Sequence, residues 1–156
     1  MNDNKPVRRR NRLESFDYTS TNAYFVTFCV QQGRCLFWER QRQEWEHTLS
    51  ETGRIVNDVI QSINDLTGAH IDQYVVMPNH VHMIVFLNAD DGQKTHLSDI
   101  VRYIKSSVTR QIGRPIWQKS YYDHVIRDEQ DYCRIREYIE NNPGKWKEDR
   151  YYQSQE

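Results

Sequence analysis

A chain of 156 residues with a formal net charge of −1 is long enough for one domain with a sizeable core, and its total charge names no partner. Cys29, Cys35 and Cys133, an odd number outside any Cys-x-x-Cys spacing, argue against a disulfide framework and for a reduced, intracellular protein. No apolar run approaches a membrane span, and the N-terminus lacks the apolar segment of a secretory signal, so a cytoplasmic location is expected.

Residues 1–22 are polar and arginine-rich, an arm rather than a core element, in which Arg8, Arg9, Arg10 and Arg12 either grip phosphates or only solubilise. Tyr24-Phe-Val-Thr-Phe-Cys-Val30, full of aromatic and β-branched residues, predicts a strand ended by Gln31-Gln32-Gly33-Arg34. Ile55, Val56, Val59, Ile60 and Ile63 recur at helical spacing, predicting a helix between Leu49 and Leu66 that Gly68 stops. His70 to Met77 and His80 to Leu87 read as strands joined so tightly at Pro78-Asn79 that they must pair antiparallel. Asn88 to Lys94 is a polar loop. A second helix, Leu97 to Ile112, turns Leu97, Ile100, Val101, Ile104 and Val108 inward and leaves Arg102 and Lys105 nearer solvent. Gly113-Arg-Pro115 breaks the chain before a short strand at Tyr121 to Ile126. Asp128 then caps a third helix, Glu129 to Asn142, whose core face is Tyr132, Ile135 and Ile139. Pro143 closes that helix, and residues 144–156 read as a polar, partly ordered tail.

The order β-α-β-β-α-β-α predicts an α+β fold of the ferredoxin-like type also used by RNA-recognition (RRM-like) modules. In it a βαββαβ antiparallel sheet carries helices on one face, with an added C-terminal helix, in one domain over residues 23–143. Residues 97–127 carry Arg102, Lys105, Arg110, Arg114, Lys119 and Arg127 against Asp99 and Asp123, while residues 39–65 and 128–156 are net negative. Such unevenness suggests a face for a polyanion, the alternative being ordinary solvated surface.

Two stretches carry candidate chemistry. His80 and His82 flank Val81, so in a strand both rings lie on one face of an otherwise apolar run. Buried imidazoles need partners for their nitrogens, which a metal or phosphate site would supply and structural hydrogen bonds would supply equally. Tyr138 and Asn142, four apart, offer a phenol and an amide oxygen on one face of the third helix. A half-buried core tyrosine and a helix-ending asparagine before proline are the plain alternative. Trp117, Tyr121 and Tyr122 are candidates for stacking on unpaired bases, Trp117 being favoured for the core, and His124 is either an assisting or a structural histidine.

Taken together, His80-Val-His82 after Met-Pro-Asn, the stretch Trp117-Gln-Lys-Ser-Tyr-Tyr-Asp-His-Val-Ile-Arg127, and Tyr138-Ile-Glu-Asn-Asn-Pro143 resemble the REP-associated tyrosine transposases, single-tyrosine members of the HUH superfamily. The resemblance runs from Arg8 to Trp146. It implies that Tyr138 is the catalytic nucleophile, that His80 and His82 are metal ligands, and that Asn142 is the third ligand, where other single-tyrosine transposases carry Gln. It further implies a divalent metal ion, for which imidazole and amide ligands suit Mg²⁺ or Mn²⁺ and leave zinc open. The implied reaction is nicking and strand transfer on single-stranded DNA through a 5′-phosphotyrosine, at repeats that fold as hairpins. The expected DNA contacts are Arg8, Arg9, Arg10, Arg12, Arg102, Lys105, Arg110, Lys119 and Arg127, in a monomer or a homodimer. A catalytically silent hairpin-binding protein on the same fold is the alternative.

Overall fold

A computed structural model of the chain describes residues 22–40, 47–65, 68–87 and 95–153. The arm with Arg8, Arg9, Arg10 and Arg12, and the loop 88–94, lie outside the described residues.

Four strands, β1 (Asn22–Cys29), β2 (Ala69–Val76), β3 (His80–Leu87) and β4 (Tyr122–Ile126), form one sheet in the order β2-β3-β1-β4 with every neighbouring pair antiparallel. Three helices connect or follow them: α1 (Glu51–Ser62), α2 (Leu97–Ile112) and α3 (Glu129–Asn141). The architecture expected from the order of elements is therefore the one formed.

Alternation along the strands assigns the two faces. Val26, Phe28 and Val30 of the first strand region and Val81, Met83, Val85 and Leu87 of β3 meet Val56, Val59 and Ile60 of α1 and Ile100, Val101, Ile104 and Val108 of α2 in the larger core. The opposite face presents Ala23, Ile84, Phe86 and Ile126 to Tyr132, Ile135 and Ile139 of α3. The added helix thus covers the face that α1 and α2 leave bare. Because both faces are covered, β3 is buried along its whole length.

The helix ends follow local chemistry. Ser50 caps α1, its Oγ accepting the Gly53 N–H at 3.0 Å, and α1 runs into a 3-10 turn at Ile63–Asp65. Asp99 reaches back to the His96 N–H at the start of α2, and Gly113 ends that helix at φ 84°, a left-handed position glycine adopts without strain. Asp128 caps α3 by accepting the Asp131 N–H at 2.7 Å.

The segment expected as a tail folds back instead. Pro143–Glu148 forms a 3-10 helix whose Trp146 is buried in the larger core, and the chain then passes beside the N-terminal end of β3. Its polar composition hid this, since one buried indole anchors a short segment without any apolar periodicity.

Candidate active site

Cross-strand register sets the site's floor. Thr27 lies opposite His82 and Cys29 opposite His80 on β1 and β3, and Val75 opposite His82 on β2. His80 and His82 point to the α3 face as period two requires, with their Nε2 atoms 3.0 Å apart. Both rings are buried.

Asn79 fixes the first ring. Its Nδ2 donates to the carbonyls of Gly33 (3.1 Å) and Tyr151 (2.8 Å), which leaves Oδ1 to accept at 2.8 Å from His80 Nδ1. Nδ1 of His80 therefore carries the proton and Nε2 presents a lone pair. His82 Nδ1 meets the Thr27 hydroxyl at 2.7 Å. That hydroxyl can donate or accept, so His82 can share its Nε2 proton with His80, or move the proton to Nδ1 and turn a second lone pair inward without shifting its ring. Burial, and for His80 the neighbouring His82, push these imidazoles down to about 2 and, from burial, about 3 respectively. They are neutral and free to act as ligands at neutral pH.

The third helix brings Tyr138 to this pair. Its hydroxyl lies 3.5 Å from His82 Nε2, with the rings at 5.3 Å. Tyr138 remains 44% exposed, since it sits beside the Tyr132/Ile135/Ile139 stripe rather than in it. Its pKa is raised, first by burial and further by the Asp149 charge, against the opposing pull of a hydrogen bond from the Asn142 side chain and of the Arg150 charge. Asn142 is buried, and its Oδ1 accepts no hydrogen bond from the described residues.

Asp149, in the returning segment, completes the cluster. Its Oδ2 lies 3.6 Å from His80 Nε2 and also lacks a hydrogen-bond partner among the described residues. One ligand atom from each of His80, His82 and Asp149 falls within 4.8 Å of the others. Two imidazole nitrogens facing each other and an orphaned carboxylate oxygen form a donor set that fits a divalent cation.

A cavity of about 450 Å³ opens over this cluster, with Tyr138, His82, Tyr122, His124, Arg134 and Arg150 among its lining. Tyr122 is 57% exposed there, as base stacking would need. His124 Nε2 donates to the Asp131 carboxylate at 2.7 Å and so ties β4 to α3. Trp117 is buried against Phe28 and Phe37, and Tyr121 packs at the edge of the same core.

The basic residues divide. Arg102, Lys105, Arg110 and Lys119 line one groove of about 630 Å³ between α2 and the segment leading to β4. Within it Arg102 pairs with Asp99 at 2.7 Å, and Lys105 Nζ donates to the carbonyls of Gln118 and Ser120. Arg127 lies apart, in a cleft with Asp123, Asp128 and Arg134. Sequence reasoning missed Asp149, Arg150 and Tyr151, and the signal available was the aromatic run from Trp146 to Tyr152 inside an otherwise polar segment.

Comparison with known proteins extends this picture. The family model described as "Transposase IS200 like" matches residues 28–142. An uncharacterised protein of Haemophilus influenzae is 32% identical over 93% of each chain. A REP-associated tyrosine transposase of Escherichia coli is 28% identical over 76% of this chain and 70% of its own. Among solved structures, a REP-associated tyrosine transposase bound to a REP hairpin superposes with a TM-score of 0.60 at 26% identity, covering 80% of this chain and 67% of that one.

Proposed function

We propose a reaction from one premise: the chain belongs to the family of IS200-like transposases. The reading is that it nicks and rejoins single-stranded DNA at repeat-derived hairpins, with Tyr138 as nucleophile. The observation that carries it is the Tyr138 hydroxyl 3.5 Å from His82 Nε2 inside one chain. The reading therefore needs no helix exchanged with a second copy.

In the proposed step the phenol oxygen of Tyr138 attacks the scissile phosphorus and loses its proton. The bond to the 3′ oxygen breaks, and that oxygen gains a proton as it leaves. The products are a 5′-phosphotyrosyl enzyme and a free 3′-hydroxyl, and reversal by this or another hydroxyl rejoins the strand with the ester energy conserved. A phenol whose pKa is raised, chiefly by burial, is a weak nucleophile at neutral pH, so charge developing at the phosphate must be stabilised. His80, His82 and the Asn142 oxygen would hold Mg²⁺ or Mn²⁺, whose charge polarises a nonbridging phosphate oxygen. Arg150, and Arg134 in its pair with Asp131 at 2.6 Å, line the cavity with the phenol and would offer further positive charge to a bound phosphate.

Tyr122, exposed at the cavity mouth, would stack an unpaired base, a contact worth roughly 1–3 kcal/mol. The groove of Arg102, Lys105, Arg110 and Lys119, with Arg127 and the N-terminal arginines, would take the hairpin's phosphates. Cys29, Cys35 and Cys133, none of them in a disulfide, suit the reducing cytoplasm, and no described helix is long and apolar enough to cross a membrane.

The test is incubation of labelled single-stranded hairpin repeats with the protein and Mn²⁺ or Mg²⁺. An adduct that survives denaturation is expected, and it should vanish in Tyr138→Phe. Hairpin binding without an adduct in either metal would leave the silent binding module, and cleavage persisting in Tyr138→Phe would point to an activated water instead.

A further inference from the structure

We infer that Asp149 is an anionic ligand of the cation at the histidine pair, so that the segment after α3, and not the helix alone, completes the metal site. The inference rests on the proposed reading that His80 and His82 hold a metal ion.

Donor spacing is the first argument. Two cis ligands each about 2.1 Å from one ion stand roughly 3.0–3.5 Å apart, whether the angle between them is octahedral or tetrahedral. His80 and His82 Nε2 are 3.0 Å apart, and Asp149 Oδ2 is 3.6 Å from His80 Nε2. The second separation is too long for a hydrogen bond, so no shared proton accounts for it. The first separation fits one shared ion, the second exceeds that range by about a tenth of an ångström, and all three atoms lie within 4.8 Å of one another, so a small inward turn of the carboxylate brings them onto one ion.

Burial is the second. The Asp149 side chain is only 2% exposed, and its Oδ2 has no donor among the described residues. A carboxylate oxygen taken out of water and left facing neutral rings is destabilised, because nothing replaces its lost hydration. A cation at that point removes the cost.

Orientation is the third. Asp149 Oδ1 accepts the Tyr151 N–H at 2.8 Å, which turns Oδ2 toward the histidines. The Asp149 N–H donates to the Trp146 carbonyl at 3.0 Å, and the Asp149 carbonyl accepts from the Tyr152 N–H at 3.0 Å. The Tyr151 carbonyl is in turn held by Asn79, and its ring packs 4.6 Å from His80. The same asparagine that sets the His80 tautomer thus anchors the turn that presents the carboxylate.

Beside the Asn142 oxygen of the proposed reading, Asp149 adds one negative charge to the histidine pair, of which His82 lines the cavity. That charge suits a hard dication and leaves positions for phosphate oxygen and water.

The experiment is Mn²⁺ titration by calorimetry on the full chain, comparing wild type with Asp149→Ala, Asp149→Asn and His80→Ala, with circular dichroism of each to verify folding. Both Asp149 variants are expected to bind Mn²⁺ at least about tenfold more weakly, the lower bound of what even a ligand's supporting partner contributes. The Mn²⁺ electron paramagnetic resonance spectrum of Asp149→Asn should also change. If Asp149→Ala fails to fold, the isosteric Asp149→Asn decides. A loss smaller than tenfold in the folded Asp149 variants, with binding abolished in His80→Ala, overturns the assignment of Asp149 and leaves the histidine pair intact. Absence of Mn²⁺ binding in wild type, or binding untouched by His80→Ala, overturns the underlying reading and this inference with it.

Discussion

His80 and His82 owe their readiness as ligands to being neutral, and neutrality has a pH signature. In the unfolded chain both titrate near 6.5, whereas burial holds them to about 2 and about 3 in the fold. The unfolded state therefore binds protons first. Their contribution to stability is complete above pH 6.5 and declines as pH falls from there toward 3. Asp149, whose carboxyl pKa burial raises, works in the opposite direction, one group against the two histidines. Urea unfolding without metal should accordingly give a lower midpoint at pH 5 than at pH 7.5. At this scale the sequence was informative where the geometry is local: period two gave the histidine pair, and the helical i,i+4 spacing gave Tyr138 with Asn142. Asp149 was illegible because its meeting with His80 depends on Trp146 seating a segment that has no periodic pattern.

The elements were legible wherever an apolar stripe met a chemically clear end. The inward faces of α2 and α3 were read residue by residue, and Asp128 as the cap of α3, because both signals are short-range. What sequence could not supply is a close approach between elements. Gly53 in α1 is such a point: a Cβ built there would lie 2.0 Å from the Phe37 carbonyl oxygen. Alanine normally gains about 1 kcal/mol over glycine inside a helix. Here Gly53→Ala should instead lower the melting temperature, because the clash is with backbone that also bonds the Ser50 N–H. A thermal melt against wild type checks the sign.

For the whole molecule, the sheet separates two tasks. One face is consolidated by α1 and α2, whose outer edge bears the basic groove, and the other holds the phenol, the imidazoles and the cavity. If the groove takes hairpin phosphates, replacing Arg110 and Lys119 together with alanine should weaken binding at all sequences. The slope of log affinity against log salt should become shallower by roughly one for each lost contact. Lys105 is a poorer choice for that measurement, since its Nζ bonds the carbonyls of Gln118 and Ser120 and its loss would disturb the connection into β4. The basic run at residues 97–127 was visible in sequence as charge alone. That four of its members share a groove while Arg127 faces a different cleft follows from where α2 and β4 stand in the fold.

The unequal size of the two cores has a kinetic corollary. Tyr138 rides on a helix secured by the smaller core of Ala23, Ile84, Phe86, Ile126, Tyr132, Ile135 and Ile139, whereas β3 is clamped between both layers. Amide protons of α3 should therefore exchange with solvent deuterium through sub-global openings that leave β3 protected. Tyr138 would then detach and return with its helix while the imidazoles stay fixed, a division of mobility that, under the proposed reaction, would carry a covalently held strand end away from its cleavage point and back.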